Sequence, residues 1–109
     1  KVVRGTMGSL FHIPIAIADN KLEIINNLKD RGITIYSTYL EGKNYIHKID
    51  MTKDMAIIIG NESRGVSKEL LELSDYTLKI PMYGNAESLN AAIAASVIMY
   101  EAARQRVNI

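Results

Sequence analysis

A cluster of polar side chains precedes a long apolar segment near the carboxyl end of the chain. The stretch IPMYGNAESLNAAIAAS (residues 80–96) leads into small apolar residues and contains, within six positions, Asn85, Glu87, Ser88 and Asn90. Ser88 is a preferred helix N-cap, and Asn85 or Glu87 could also bond the free amides of a first helical turn. Capping accounts for part of the cluster only. A few fixed polar groups at the boundary of an apolar core are typical of a ligand pocket.

A second polar stretch follows an apolar run in the middle of the chain, in the sequence IIIGNESRGVS. Gly60 and Gly65 have the spacing of a phosphate-binding loop, but no Lys-Ser or Lys-Thr pair follows Gly65. The residues that would hold nucleotide phosphates and magnesium are therefore missing, which disfavours a generic nucleotide-binding domain. The structural alternative is a turn, in which the glycines permit positive φ and Glu62 lies favourably near the start of the next helix.

Hydrophobic patterning predicts alternating strands and helices around these two stretches. The predicted strands are 15–18, 33–37, 55–60 and 76–81, and the predicted helices are 1–11, 19–32, 67–74 and 88–106. The run 55–60 is continuously apolar and β-branched, which is typical of a central parallel strand covered on both faces. Residues 38–54 indicate a loop with at most one short element. This alternation predicts an α/β sheet, in which ligands bind beyond the carboxyl ends of the strands.

The last predicted helix has an unusual composition. No charged residue occurs from Leu89 to Tyr100, so this helix has no obvious solvent face before its final turns. It must be covered by the sheet, by another segment or by a second subunit.

Bulk composition restricts the class of protein. The 109 residues are 48% hydrophobic with a formal net charge of +1, which fits one domain and requires any nucleic acid to be recognised by a local patch. Cysteine is absent, so there is no disulfide framework. No apolar run is long enough to span a bilayer and no signal peptide is evident, which predicts a cytoplasmic protein.

The two polar stretches together resemble a known family. IIIGNESRGVS and the later IPMYGNAESLNAAIAASVIMYEA resemble the second and third signature motifs of the SpoU (TrmH-type) RNA ribose 2′-O-methyltransferases of the SPOUT superfamily, and KVVRGTMGSLFHIPI resembles the preceding segment. The resemblance covers essentially the whole chain. It implies the α/β knot, a mostly parallel sheet with helices on both faces whose C-terminal segment passes through a loop. It further implies that residues 1–109 are the C-terminal two-thirds of one catalytic domain, without its N-terminal strands.

The resemblance also implies a cofactor and a set of residues that hold it. The cofactor is S-adenosylmethionine, bound in a bent conformation within the knot and held largely by backbone groups. The matching positions are Gly60, Ile80, Met82, Ser88, Leu89 and Asn90, with Thr6, Met7 and Gly8 nearby.

Catalytic positions follow from the same motifs. Glu62, Ser88 and Asn90 match the positions that organise the site. The arginine credited with activating the ribose hydroxyl belongs to a first motif, expected N-terminal to Lys1, and neither Arg4 nor Arg64 matches it. The implied function is 2′-O-methylation of ribosomal or transfer RNA by a homodimer whose site is completed across the interface. The alternative is a non-catalytic fragment or degenerate paralogue that retains cofactor binding and dimerisation.

Two further sets of residues have side chains that could do chemistry. Aromatic and cationic side chains in and beside the predicted loop could form a surface for RNA, although such tyrosines more often pack beneath a loop; they are Tyr36, Tyr39, Lys43, Tyr45, His47 and Lys48. The only two histidines, His12 and His47, have no carboxylate or cysteine partners at metal-binding spacing, so no metal site is expected.

Overall fold

The chain combines strands and α-helices as the patterning predicts, with three strands in succession between the first and second described helices. The structure is a computed structural model that describes residues 14–39, 42–60, 65–80 and 91–107. Its strands are β1 (Thr34–Thr38), β2 (Asn44–Tyr45), β3 (Met55–Ile58) and β4 (Tyr76–Lys79). Its helices are α1 (Lys21–Asp30), α2 (Lys68–Leu73) and α3 (Ala91–Val107), and a short 3₁₀ turn (Ile46–Lys48) follows β2.

The four strands form one sheet in the order β2-β4-β1-β3, and every pairing is parallel. Successive residues of a strand point to opposite faces of the sheet. Tyr36 joins a core cluster with Ile98 of α3, whereas the hydroxyl of Ser37 hydrogen-bonds that of Ser74 at the end of α2. Helices α2 and α3 therefore cover opposite faces, which confirms the predicted parallel α/β architecture.

Helix α1, which lies within the predicted helix 19–32, is bounded by a capping asparagine and a glycine. Asn20 is the N-cap, and its side-chain oxygen accepts a hydrogen bond from the Glu23 amide at 3.1 Å. Ile25 is buried, and Gly32 follows the helix with a φ of 80°. Only glycine adopts that left-handed conformation without strain, which explains why the helix stops there.

Three predictions about the strands are wrong. Residues 15–18 form no strand, and Ile15 and Ile17 are 63% and 94% exposed. A strand needs a hydrogen-bonding neighbour, and no described strand pairs with this segment. β3 is an edge of the described sheet and is half-buried, not covered on both faces. Residues 38–54 contain two short elements, β2, which pairs with β4, and the 3₁₀ turn that follows it.

Helix α3 is covered along one stripe only within the described chain. Ala94 and Ile98 are buried, with Ile98 only 2% exposed, and Ile98 packs on Leu78 of β4. Met99 and Tyr100 are 63% and 70% exposed. None of the described helices is long and apolar enough to cross a membrane. The predicted knot depends on the path of residues 61–64 and 81–90, which lie outside the described ranges.

The carboxyl end of α3 is bonded to the segment before β3. Gln105 Oε1 accepts a hydrogen bond from the Met51 amide at 2.7 Å, and Gln105 Nε2 donates to the Ile49 carbonyl at 3.0 Å. Arg106 donates to the Met51 and Lys53 carbonyls, both at 2.8 Å. Met51 is fully buried. These bonds fix the last turns of α3 against residues 49–53.

The ion pair between Glu101 and Arg104 on α3 should make the stability of the fold depend on pH. Hydrogen bonds from Arg104 and then Gln105 hold the pKa of Glu101 at about 2, below its ordinary value of 4.5. The pKa of Glu101 is lower in the folded protein than in the unfolded chain. The ion pair therefore stabilises the fold at pH values above the pKa of the unfolded chain, and this stabilisation is lost as the pH falls through the pKa of the folded protein. We expect the difference in urea midpoint between wild type and Glu101→Gln to shrink between about pH 5 and about pH 2. A difference that stays constant over that interval would contradict this expectation.

Candidate functional site

The carboxyl ends of three strands lie side by side and form the edge that Gly60 and Ile80, the two predicted site residues within the described ranges, follow. In the sheet, β1 lies between β4 and β3. Thr38 Oγ1 donates to the Ile58 carbonyl at 3.3 Å, and the Tyr39 amide donates to the Leu78 carbonyl at 3.0 Å. The chain at the end of β1 is therefore bonded to the carboxyl-terminal parts of both neighbouring strands. This is the edge at which parallel α/β sheets bind ligands.

Gly60, the predicted cofactor position after β3, stands where no side chain fits. A Cβ added there would lie 2.3 Å from the Gly65 carbonyl carbon and 2.3 Å from the Val66 nitrogen. Both contacts are to backbone, which cannot rotate away as the end of a side chain can. The second motif therefore closes on itself at Gly60, and this closure requires glycine.

Ile80, the predicted cofactor position after β4, lies at the same edge of the sheet. Ile80 and Ile59 are half-buried, and both pack against the core cluster around Leu78 and Ile98. The structure thus brings the two motifs to one edge, on either side of the end of β1. Ile59 and Ile80 provide apolar surface there, and the backbone of both residues lies just beyond the last paired residues of β3 and β4.

Sequence reasoning missed two residues of this edge. Thr38 bonds the end of β3, as described above, and a Cβ on Gly42 would lie 2.9 Å from the Tyr39 carbonyl oxygen and 3.0 Å from the Leu78 carbonyl group. The Gly42 amide donates to the Tyr39 carbonyl at 3.0 Å. The only signal in the sequence was that Gly42 lies four residues after the end of β1. Its close contact with the Leu78 backbone of β4 is evident only from the fold.

A cavity of about 460 Å³ opens beside Gly60. It is bounded by the turn before α1, the end of β3 and the beginning of α2. This volume lies in the range of small-molecule sites. Its charged side chains are Asp19 and Glu69 against Lys21, which gives the lining a slight excess of negative charge.

The remaining predicted site residues lie outside the described ranges. They are the catalytic positions Glu62, Ser88 and Asn90, and the cofactor positions Met82, Leu89, Thr6, Met7 and Gly8. Their assignment stays a prediction from the family resemblance.

The candidate RNA surface divides into buried and exposed residues. Tyr36 is 8% exposed, and burial, followed by the neighbouring Tyr76, raises its pKa. It is a packing residue and not a surface contact. Tyr45 is 38% exposed, stacks on His47 with ring centroids 5.7 Å apart, and has Lys79 Nζ 5.7 Å from its ring centroid. Lys79 was not among the predicted residues, because only the β2–β4 pairing places it beside Tyr45.

Metal binding finds no support in the part of the chain that the structure describes. No group of three or more histidine, aspartate or glutamate side chains there could hold a metal ion. His12 lies outside that part, and His47 stacks on Tyr45.

These observations define a parallel α/β domain in which Gly60 and Ile80, one from each motif, lie at the carboxyl edge of the sheet on either side of β1. The profile of the SpoU rRNA methylase family matches residues 1–100, and the chain belongs to this family. The resemblance identified from the two motifs is thereby confirmed.

Similar proteins include characterised enzymes and solved structures. The chain is 40% identical to the 23S rRNA (guanosine(2553)-2′-O)-methyltransferase RlmP of Bacillus subtilis, over 92% of this chain and 40% of that protein. It is 42% identical to the tRNA (guanosine(18)-2′-O)-methyltransferase of Aquifex aeolicus, over 93% of this chain and 48% of that protein. The chain therefore spans less than half the length of these curated relatives.

The fold is similar to that of a SpoU methyltransferase solved with its cofactor. The crystal structure of the SpoU methyltransferase AviRb from Streptomyces viridochromogenes with its cofactor AdoMet has a TM-score of 0.89 to this structure. The two are 38% identical, over 98% of this chain and 44% of that chain.

Proposed function

We propose that the protein containing this chain transfers a methyl group from S-adenosylmethionine to a ribose 2′-hydroxyl of ribosomal or transfer RNA. The observation that carries the proposal is the parallel carboxyl edge, at which Gly60 and Ile80 lie on either side of β1. Membership of the SpoU family supports it, as do the two relatives that methylate guanosine 2′-hydroxyls in 23S rRNA and in tRNA. Such substrates would place the protein in the cytoplasm.

The described residues fit this cofactor. When bound, it supplies a methyl group activated by a sulfonium. Peptide groups beyond the last paired residues of parallel strands are available to bond a ligand, and Gly60 leaves the backbone there without a side chain. Ile59 and Ile80 offer apolar surface for an adenine ring. We propose that the cofactor is held by Gly60 and Ile80 together with Met82, Ser88, Leu89, Asn90, Thr6 and Gly8.

Positioning is the main catalytic contribution expected of the chain. A ribose 2′-hydroxyl is a poor nucleophile until its proton is removed or strongly hydrogen-bonded, so a base and an in-line approach are both needed. We propose that Glu62, Ser88 and Asn90 organise the site for that approach. The family resemblance assigns activation of the hydroxyl to an arginine of a first motif, which we expect to precede Lys1 in a domain of which residues 1–109 form the C-terminal two-thirds.

We propose that α3 contributes to a homodimer. Its outer surface carries large apolar side chains, of which Met99, Tyr100 and Val107 are 63%, 70% and 62% exposed. A second copy would cover this surface, and the family resemblance implies that the active site is completed across that interface. The same resemblance implies that the segment leading into α3 passes through the knot.

The proposal is tested with the full-length gene product, including whatever precedes Lys1. We expect calorimetry to detect binding of S-adenosylmethionine, and the tritiated cofactor to label ribosomal or transfer RNA. Cofactor binding without methyl transfer to any RNA would favour the non-catalytic alternative. Absence of cofactor binding by the folded protein would contradict both functions.

One substitution tests the predicted cofactor residues. Leu89→Glu is expected to weaken S-adenosylmethionine binding at least about ten-fold, because it places a charge against the apolar part of the ligand. Ile24→Glu is the matched control, since Ile24 is 42% exposed on α1, and it should leave the affinity unchanged. If the two variants bound S-adenosylmethionine with equal affinity, the assignment of Leu89 to the cofactor site would be wrong.

A further inference from the structure

The edge of the sheet formed by β2 carries two exposed aromatic rings beside a half-buried lysine of β4. We define the Tyr45 surface as Tyr45, His47 and Lys79. The rings of Tyr45 and His47 stack at 5.7 Å with an interplanar angle of 27°, and Lys79 Nζ lies over the Tyr45 ring at 5.7 Å from its centroid. Tyr45 is 38% exposed, and His47 is exposed.

The backbone beneath the Tyr45 surface is held in place. The Lys43 amide donates to Thr77 Oγ1 at 3.2 Å, and Asn44 Nδ2 donates to the Thr77 carbonyl at 3.1 Å. Ile46, between the two rings in the chain, is 5% exposed and belongs to the core cluster. The rings therefore project from a fixed turn, and little conformational entropy would be lost when a ligand stacks on them.

The Tyr45 surface adjoins the proposed active site. Tyr45 is in register with Lys79, the residue before Ile80, so the surface begins one residue from the cofactor edge. Lys43 and Lys48 flank it along the chain. Lysine is depleted from protein–protein interface cores, whereas aromatic rings interleaved with cations suit unpaired bases and their phosphates. The chemistry therefore favours RNA over a protein partner.

We propose that the Tyr45 surface binds an unpaired nucleotide of the RNA substrate that flanks the methylated one. The base stacks on the Tyr45–His47 pair, and Lys79 contacts a phosphate. This inference rests on the proposed function, and it assigns part of the RNA-binding path to the β2–β4 edge.

The test measures RNA binding by the full-length protein with fluorescein-labelled bulk transfer RNA and ribosomal RNA as probes. Tyr45→Ala is expected to weaken binding about ten-fold, and Tyr45→Phe, which keeps the ring, should remain close to wild type. Lys79→Gln should weaken binding and reduce the slope of log affinity against log salt by about 0.7. All three variants should bind S-adenosylmethionine as wild type does.

Tyr76→Ala is the matched control for this surface. Tyr76 is also an exposed tyrosine on β4, 52% exposed and stacked on another ring, but it lies at the amino end of the strand. Its substitution should leave RNA affinity unchanged, so a loss equal to that of Tyr45→Ala would overturn the inference.

Three further outcomes would also overturn it. Wild-type methyl transfer with unchanged RNA affinity in Tyr45→Ala and Lys79→Gln refutes the Tyr45 surface alone and leaves the proposed function standing. A change of oligomeric mass in Tyr45→Ala, with unchanged RNA affinity, would assign the surface to a second copy of the chain. Absence of RNA binding by the wild-type protein would contradict both the inference and the proposed function.

Discussion

Replacing Gly60 by alanine is expected to lower the free energy of unfolding by about 3 kcal/mol, at the upper end of the usual cost of overpacking. The added Cβ would lie 2.3 Å from two backbone atoms of Gly65 and Val66, where contacts below 3.0 Å are essentially never found. Either the second motif opens or β3 shifts. Both movements displace the backbone proposed to hold S-adenosylmethionine, so its affinity should fall at least about ten-fold.

Gly32→Ala separates local strain from damage to the site. Gly32 has a φ of +80° and nothing within 4 Å of an added Cβ. Alanine should therefore cost only the left-handed backbone penalty of about 1 kcal/mol. Urea unfolding and calorimetry with S-adenosylmethionine measure both quantities for each variant. If Gly60→Ala retained wild-type stability and affinity, the close approach at Gly60 would have no part in the site.

Replacing Gln105 by leucine is expected to destabilise the protein by about 3 kcal/mol, since each buried polar group left unbonded costs about 1–3 kcal/mol. Leucine has a similar size but cannot bond the Met51 amide or the Ile49 carbonyl, and Met51 is fully buried. Because α3 is one continuous helix from Ala91 to Val107, loosening its carboxyl end also frees its first turn. S-adenosylmethionine binding should therefore weaken together with stability.

Two other substitutions on α3 check the role of Gln105. Gln105→Glu keeps an acceptor for Met51 but cannot donate to the Ile49 carbonyl, and it adds a carboxylate beside Glu101, whose oxygen lies 2.7 Å from Gln105 Nε2. It should also be destabilising. Ser96→Ala removes an exposed hydroxyl that bonds the Ala92 carbonyl within the same helix, so a change within about 0.5 kcal/mol is expected. A comparable loss in Ser96→Ala would mean that α3 itself, and not its attachment, determines stability.

Local patterns were sufficient where local physics decides the outcome. The Asn20 cap, the buried Ile25 and the Gly32 stop define α1, and each acts within a few residues along the chain. The apolar run at 55–60 correctly predicted a strand there, since β-branched runs favour extended structure, although β3 ends at Ile58. The helix predicted over 67–74 is confirmed as α2, for which Ser67 is the N-cap.

Long-range pairing decided the features that the patterns could not predict. The segment 15–18 has the composition of a strand, yet it forms none because no described strand lies beside it. Tyr36, Tyr39 and Tyr45 look alike in the sequence. Only the sheet buries Tyr36 and brings Lys79 beside Tyr45.

The sequence by itself determined the family, the parallel α/β class and the two motifs, because these depend on residue types at fixed spacings. The tertiary structure decided where the motifs begin in space: strand order places Gly60 and Ile80 on either side of β1, and close packing leaves no space for a Cβ at Gly60 or Gly42. It also decided which face of α3 is covered, with Ile98 buried and Tyr100 exposed. Packing and strand order bring together residues that are far apart in the chain, and local sequence patterns contain no information about which distant residues become neighbours.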